Sequence, residues 1–171
     1  MTGRVLVAYG SKYGATEEIA ERIGKVLRDG GFDVVVSPAR AVGDVAGYGA
    51  VVLGGGLYVG RWVKDAAKLL KERAGELAGK PVWLFSSGPT GKGDVKELMQ
   101  GWEFPAGLVE ARDRVKPRGH VVFHGAIDRS KLNLLERQAI RMVKAPFEDA
   151  RDWGAIEAWA RSVADELKRE A

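Results

Sequence analysis

Apolar residues follow two alternating patterns along the chain. In the first pattern, apolar residues recur at helical spacing, as at Ile19, Ile23 and Leu27 and again over 62–77 and 153–167. In the second pattern, they form short consecutive runs. Strands that are covered by helices on both faces are apolar at consecutive positions, so the runs predict a parallel sheet. Five short runs, rich in β-branched and aromatic residues, have this character: 5–9, 32–36, 50–53, 82–85 and 120–123.

The strict alternation of strand and helix predicts an open, doubly wound α/β sheet with helices on both faces. Neither an internal repeat nor a linker interrupts the pattern, so we expect a single domain over residues 1–171. In such sheets, ligands bind at the carboxyl ends of the strands, where the winding direction reverses. The loops after the first, third and fourth strands are therefore the candidate binding loops.

Composition narrows the setting of this domain. The chain has 171 residues, 46% of them hydrophobic, which suffices for one buried core. It has no cysteine, which excludes disulfides, thiolate metal sites and thiol nucleophiles. The N-terminus enters a strand-like run at once, without the pattern of a signal peptide, and no apolar run approaches the roughly 18 residues of a membrane span. We therefore expect a cytoplasmic protein.

The net charge of +4 favours anionic partners in general. The basic residues are scattered, however, without Lys/Arg runs or interleaved aromatic residues for base stacking. We therefore expect no nucleic acid partner.

The first candidate loop runs from the strand at 5–9 into a helical pattern. It reads Gly-Ser-Lys-Tyr-Gly-Ala-Thr over residues 10–16. Ser11 and Thr16 offer hydroxyl groups, and Gly14 lets the backbone turn closely around an anion ahead of a helix N-terminus. Neither the Walker phosphate loop nor the dinucleotide fingerprint is present. An ordinary capped helix start remains the alternative.

The other two loops are suited to a flat ring. Residues 54–62 contain four glycines together with Tyr58 and Trp62, which can pack against the face of a ring. Residues 86–94 contribute backbone N–H groups and small hydroxyls at the same sheet edge. The alternative is that Trp62 packs inward at the start of a helix while Tyr58 lies on the surface and the glycines only form turns.

Residues 5–20 resemble the phosphate-binding segment of the flavodoxin family. The family pattern Ser/Thr-x-Thr-Gly-x-Thr is matched at Ser11, Gly14 and Thr16, with Tyr13 at a position where many members have a hydroxyl residue. The segments 54–62, 85–86, 123–128 and 152–153 resemble the branch that includes the menaquinone-dependent protoporphyrinogen oxidases. The resemblance implies a five-stranded flavodoxin-like sheet of order 2-1-3-4-5, an extra helical segment after strand 5, and FMN as cofactor.

The same resemblance implies which residues hold FMN. The phosphate falls on Ser11, Lys12, Tyr13, Gly14, Ala15 and Thr16. The isoalloxazine falls between one loop with Gly55, Gly56, Leu57, Tyr58, Gly60 and Trp62 and another with Ser86, Ser87, Gly88, Pro89 and Gly91. Because residues 86–94 contain no aromatic side chain, one face of the ring is expected to be open.

The implied function is an FMN-dependent oxidoreductase that takes hydride equivalents from a porphyrinogen and passes electrons to a quinone. Two alternatives remain. One is a one-electron shuttle between protein partners. The other is a cofactor-free signalling module on the same fold.

Residues 129–144 form an additional amphipathic segment. Leu132, Leu135, Ala139 and Met142 share one helical face, which Leu134, Ile140 and Val143 widen. Five basic residues stand against the single acidic Glu136. Such a helix either buries its apolar face against the sheet edge or a second copy in a homodimer, or meets an anionic membrane at the inner face of the bilayer.

The two histidines, His120 and His124, lie four residues apart on one face of the fifth strand. No carboxylate or cysteine companion stands at ligand spacing, so we expect core or edge histidines and no metal site. His124, at the carboxyl end of the strand, is the better placed of the two to act on a ligand. No Ser-His-Asp arrangement indicates hydrolysis, and the sequence assigns no catalytic residue.

Overall fold

The computed structural model describes residues 3–142, 144 and 146–171. The strands are β1 (Val5–Gly10), β2 (Val34–Pro38), β3 (Ala50–Tyr58), β4 (Arg61–Trp62), β5 (Val82–Ser87) and β6 (Gly119–Phe123). The helices are α1 (Ala15–Asp29), α2 (Lys64–Glu72), α3 (Ala74–Leu77), α4 (Val95–Leu98), α5 (Val109–Val115), α6 (Leu134–Met142) and α7 (Trp153–Arg169). None of the helices in these ranges has the length and apolarity required to cross a bilayer.

The sheet has the predicted flavodoxin-like order. Five strands pair in parallel as β2-β1-β3-β5-β6, which corresponds to 2-1-3-4-5 in the predicted numbering. Alternate residues of the inner strands β1, β3 and β5 enter two separate hydrophobic clusters. Val5 and Val7 face α1 and α7, whereas Leu6 and Ala8 face α2 and α3. Helices on both faces explain why the strands are apolar at consecutive positions.

The end of β3 differs from the predicted loop. The glycines at 54–56 continue the strand, and a β carbon on Gly54 would lie 1.9 Å from Cζ of Phe85. On Gly55 it would lie 2.5 Å from the indole of Trp62. These two glycines therefore make room for aromatic rings packed on the sheet.

The predicted helix over 62–77 is wrong at its start. Trp62 belongs to the short strand β4, which pairs antiparallel with the end of β3, and α2 begins only at Lys64. The connection consists of Val59 and Gly60, with φ angles of 50° and 73°. Two consecutive positive φ values form the tight hairpin turn that matches the twist of paired strands. The hairpin carries Tyr58 beyond the sheet edge.

The extra segment leaves the sheet after β6 and returns before α7. Its base is closed by an antiparallel bridge between Ala126 and Asp149. The N–H of Ile127 donates to the carbonyl of Glu148 at 2.8 Å, and that of Ala150 donates to the carbonyl of Gly125 at 3.0 Å. The segment is therefore held at its base by backbone hydrogen bonds to its own return.

The predicted apolar face of this segment is wrong. Leu132 is buried, but it precedes α6, whereas Leu135 and Met142 are 79% and 84% exposed. The face that turns inward carries Glu136 and the buried Ile140, because Glu136 finds polar partners on the first loop. Val143, which the sequence analysis placed on the same helix, lies outside the described residues.

Candidate functional site

A cavity of about 590 Å³ lies at the carboxyl ends of β1, β3 and β5. Its floor comes from the loop between β1 and α1 and from the hairpin after β3. The β5 loop and the connection that follows it form one wall, and the extra segment forms another through Leu132 and Ile140. The site is at the edge of the sheet where the winding reverses, as the sequence analysis predicted.

One end of the cavity is the N-terminus of α1. Its N-cap residue is Gly14, with a φ of 95°, and no side chain of the described residues caps the helix. The loop closes on itself instead, since the Gly14 N–H donates to Oγ of Ser11 at 2.9 Å. The first N–H groups of α1 and the buried Thr16 thus face a site that favours an anion.

The acidic residues of the first turn of α1 have partners outside this site. Glu17 accepts a hydrogen bond from the hydroxyl of Tyr9 at 3.0 Å. Glu18 pairs with Arg151, which also pairs with Asp149. Burial and the bond to Glu17 raise the pKa of Tyr9 to about 12, so its hydroxyl stays protonated. The two carboxylates are therefore held by donors of their own.

Polar contacts connect the first loop to the extra segment. The hydroxyl of Tyr13 donates to Glu136, and Nζ of Lys12 lies 3.7 Å from Oε1 of the same carboxylate. Lys12 also sits over the ring of Tyr58, with Nζ 4.5 Å from the centroid. Burial and the contact with Glu136 raise the pKa of Tyr13, and the hydrogen bond to Tyr13 raises the pKa of Lys12. The carboxylate of Glu136 therefore contacts both the neutral phenol of Tyr13 and the ammonium group of Lys12.

Two aromatic side chains from outside the first loop also line the cavity. Tyr58 comes from the hairpin, and Trp102 comes from the connection between β5 and α5. The indole N–H of Trp102 donates to the carbonyl of Gly60 at 3.1 Å, which joins this connection to the hairpin. Sequence reasoning missed Trp102 because it looked for aromatic residues only as far as Asp94. Trp102 lies in the same connection as residues 86–94, and its indole could have been considered as a ring contact on that ground.

Most of the predicted binding residues surround the cavity. Those that line it are Ser11, Lys12, Tyr13, Ala15, Thr16, Gly56, Leu57, Tyr58, Gly60, Ser87, Gly88 and Pro89. Gly56 matters for space, since a β carbon there would lie 2.8 Å from Oγ1 of Thr16. The remaining predicted residues are not part of this lining: Gly14, Gly55, Trp62, Ser86 and Gly91.

Trp62 and Ser86 belong to a hydrogen-bonded network beneath the cavity. The indole N–H of Trp62 donates to Oγ of Ser86 at 2.8 Å, and Nε2 of His120 lies 3.0 Å from the same oxygen. Since an indole N–H only donates, the Ser86 hydroxyl keeps its own hydrogen for Nε2 of a neutral imidazole. Burial, with a smaller effect of Arg112, lowers the pKa of His120 to about 4. This histidine is partly buried on the edge strand β6, as expected for a core or edge histidine.

The second histidine lies beside the β5 loop. Nε2 of His124 is 3.0 Å from the carbonyl of Gly93. The same loop is tied to the return of the extra segment, because Oγ1 of Thr90 donates to the carbonyl of Pro146 at 2.7 Å and the N–H of Gly91 donates to Glu148 at 2.7 Å. Gly91 thus joins the β5 loop to the extra segment through its backbone.

The fold and the site together define a doubly wound α/β protein with a ligand cavity at the carboxyl ends of its strands. A family model described as Flavodoxin domain matches residues 6–153. The chain therefore belongs to the flavodoxin domain family. No curated protein matches the chain at a significant level.

Solved structures share the fold at low sequence identity. A flavodoxin from the domain Archaea is 16% identical, with a TM-score of 0.61 over 96% of this chain and 99% of that one. A flavodoxin from Streptococcus pneumoniae is 18% identical, with a TM-score of 0.59 over 95% and 99%. Rubredoxin oxygen:oxidoreductase from Desulfovibrio gigas is 16% identical, with a TM-score of 0.60 over 97% of this chain and 36% of that one.

Proposed function

We propose that the protein binds FMN in this cavity and transfers electrons. The observation that carries the proposal is the cavity itself, which is lined both by the uncapped N-terminus of α1 and by the rings of Tyr58 and Trp102. A mononucleotide with a flat aromatic head combines the two groups that such a lining favours, an anion and a ring. Membership in the flavodoxin domain family and the two carriers of matching length support this reading.

The residues present fit such a ligand. The volume of about 590 Å³ falls within the roughly 300–1,000 Å³ of small-molecule sites. Ser11, Thr16 and the first N–H groups of α1 would hold the phosphate. Leu57, Tyr58 and Trp102 would hold the ring, and Gly88 would let it approach the backbone of the β5 loop. FMN would supply the capacity to accept and return electrons.

The first experiment tests the cofactor. The purified protein is titrated with FMN while the fluorescence of the ligand and the melting temperature are followed. Quenching with a gain in melting temperature supports the proposal. Binding of inorganic phosphate without FMN would instead favour a cofactor-free signalling module.

We further propose a reaction of the protoporphyrinogen oxidase type, in which the flavin takes electrons from a porphyrinogen and passes them to a quinone. The resemblance of residues 54–62 and 123–128 suggests it, and the extra segment supports it. That segment presents the exposed apolar side chains Leu134, Leu135 and Met142 among five basic residues. A face of this composition suits an anionic membrane, where quinones are found.

Anaerobic mixing separates this reaction from its alternative. FMN-loaded protein is mixed with protoporphyrinogen, and the flavin absorbance is followed; a menaquinone analogue is then added. Bleaching by the porphyrinogen and recovery with the quinone support the oxidase. If no small molecule changes the absorbance, the protein is better described as a shuttle between protein partners, as its fold relatives of the same length suggest.

Vesicle flotation tests the membrane contact, which a localisation at the inner face of the bilayer requires. Protein that floats with anionic vesicles but not with neutral ones, and a Leu134→Ser/Leu135→Ser variant that stays in solution, support it. If wild-type protein sediments as a dimer and the same variant is a monomer, the exposed leucines serve a homodimer instead.

A further inference from the structure

The first loop, residues 10–16, contributes little positive charge to the cavity. Of the described residues that line the cavity, only Lys12 and Asp128 carry a charge. The ammonium of Lys12 is engaged by the ring of Tyr58 and by Glu136. The loop itself therefore offers neutral donors, namely Ser11, Thr16 and the N–H groups of α1.

A second lysine reaches this loop from the extra segment. Nζ of Lys131 donates to the carbonyl of Tyr13 at 3.1 Å. It would lie 3.9 Å from a β carbon built on Gly14, the N-cap residue of α1. An ammonium group thus lies next to the uncapped helix end, although Lys131 is 117 positions away from Gly14 along the chain.

The turn that carries Lys131 is itself fixed. The 3-10 turn Arg129–Lys131 is capped by Asp128, whose Oδ1 accepts the Ser130 N–H at 2.9 Å and the Ser130 hydroxyl at 2.6 Å. The following residue, Leu132, is buried against the cavity. The backbone of Lys131 is therefore held between a cap and an apolar anchor, which directs its side chain to the first loop.

We infer that Lys131 is a phosphate-binding residue, contributed by the extra segment to complete the anion site at the N-terminus of α1. The inference rests on the proposed binding of FMN. A phosphate monoester carries about −1.5 to −2 charges at neutral pH and accepts charge-assisted hydrogen bonds. An ammonium group with three donors satisfies the Tyr13 carbonyl and a phosphate oxygen together.

Comparing FMN with riboflavin, which lacks the phosphate, isolates this role. Lys131→Met is titrated with both flavins by fluorescence quenching. We expect a Kd for FMN about tenfold higher than in the wild type, equivalent to about 1.4 kcal/mol, and an unchanged Kd for riboflavin. Because Lys131 is exposed, the difference should shrink at high salt. Lys131→Arg should restore FMN binding.

Lys144→Met is the matched control, since it removes the same charge from the same segment, whereas of these two lysines it is Lys131 that donates to the first loop within the described residues. It should leave both affinities unchanged. An equal loss of FMN and riboflavin affinity in Lys131→Met would overturn the inference, because Lys131 would then only hold the segment in place. Unchanged FMN affinity would also overturn it. If the wild type binds neither flavin, the proposed cofactor is wrong and the inference falls with it.

Discussion

We predict that the free energy of unfolding depends on pH through the single residue His120. Its imidazole packs edge-on to Phe104, with ring centroids 4.9 Å apart, and contacts Ser86. Burial first, and then repulsion from Arg112, lowers the pKa of His120 from 6.5 to about 4 in the folded protein. The unfolded chain keeps the ordinary pKa and binds the proton first as the pH falls. Stability is therefore fully present above pH 6.5 and is lost progressively down to about pH 4.

The magnitude follows from this difference in pKa. Each unit corresponds to about 1.4 kcal/mol, so the full window is worth about 3 kcal/mol. Between about pH 7 and about pH 5, where ordinary carboxylates remain largely ionised, the free energy of unfolding should fall by about 2 kcal/mol. For a chain of this size, that loss lowers the melting temperature by roughly 4–8 °C.

Thermal unfolding followed by circular dichroism tests this prediction. His120→Gln keeps a side-chain amide for the Ser86 hydroxyl but does not titrate, so its melting temperature should change little over the same pH range. The chain has only one other histidine, and His124→Gln is the matched control that should retain the wild-type pH dependence. If His120→Gln and the wild type lose equal stability on acidification, the reasoning is refuted.

Three further predictions concern the cavity and its rim. Val59→Asn should raise the melting temperature by about 2–4 °C, because a β-branched residue at a φ of 50° costs about 1 kcal/mol that asparagine avoids; an unchanged or lower melting temperature would contradict it. Gly56→Ala should weaken FMN binding about tenfold by displacing the Thr16 hydroxyl, whereas Gly43→Ala, in open space, should not; equal titrations would contradict it. Trp102→Leu should weaken FMN and riboflavin binding alike, since it removes a ring contact; a loss confined to FMN would show that Trp102 does not meet the ring.

The sheet and the position of the cavity could be predicted from the sequence because strands that are buried on both faces appear as runs of consecutive apolar residues. Strands β1 and β5 are buried at every position and begin with consecutive apolar residues, and the loops that follow them are rich in glycine and small hydroxyl residues. The hairpin after β3 could not be recognised in this way, because its sequence lacks a typical turn signal. Its turn contains Val59 at a positive φ, where asparagine or glycine would have been the recognisable signal.

The extra segment could not be placed from the sequence because its inward face is partly polar. A hydrophobic face was sought, yet Glu136 points inward to Tyr13 and Lys12, while Leu134 and Leu135 point outward. These contacts join residues more than 100 positions apart in the sequence, so helical periodicity carries no information about them. The contribution of Lys131 to the first loop was missed for the same reason.

Two kinds of contact hold the extra segment over the cavity, and their magnitudes differ. The contact of Lys12 with Glu136 is partly exposed, so it is worth about 0–1 kcal/mol. Burying Leu132 and Ile140, which are 5% and 8% exposed, contributes up to about 1.5–3 kcal/mol each. The apolar side chains of Leu132 and Ile140 therefore hold the segment over the cavity. The polar groups of Glu136 and Lys131 determine its contacts with the first loop. Removing the ammonium of Lys131 leaves the anchors in place, which is why the comparison of FMN with riboflavin reports on the phosphate contact itself.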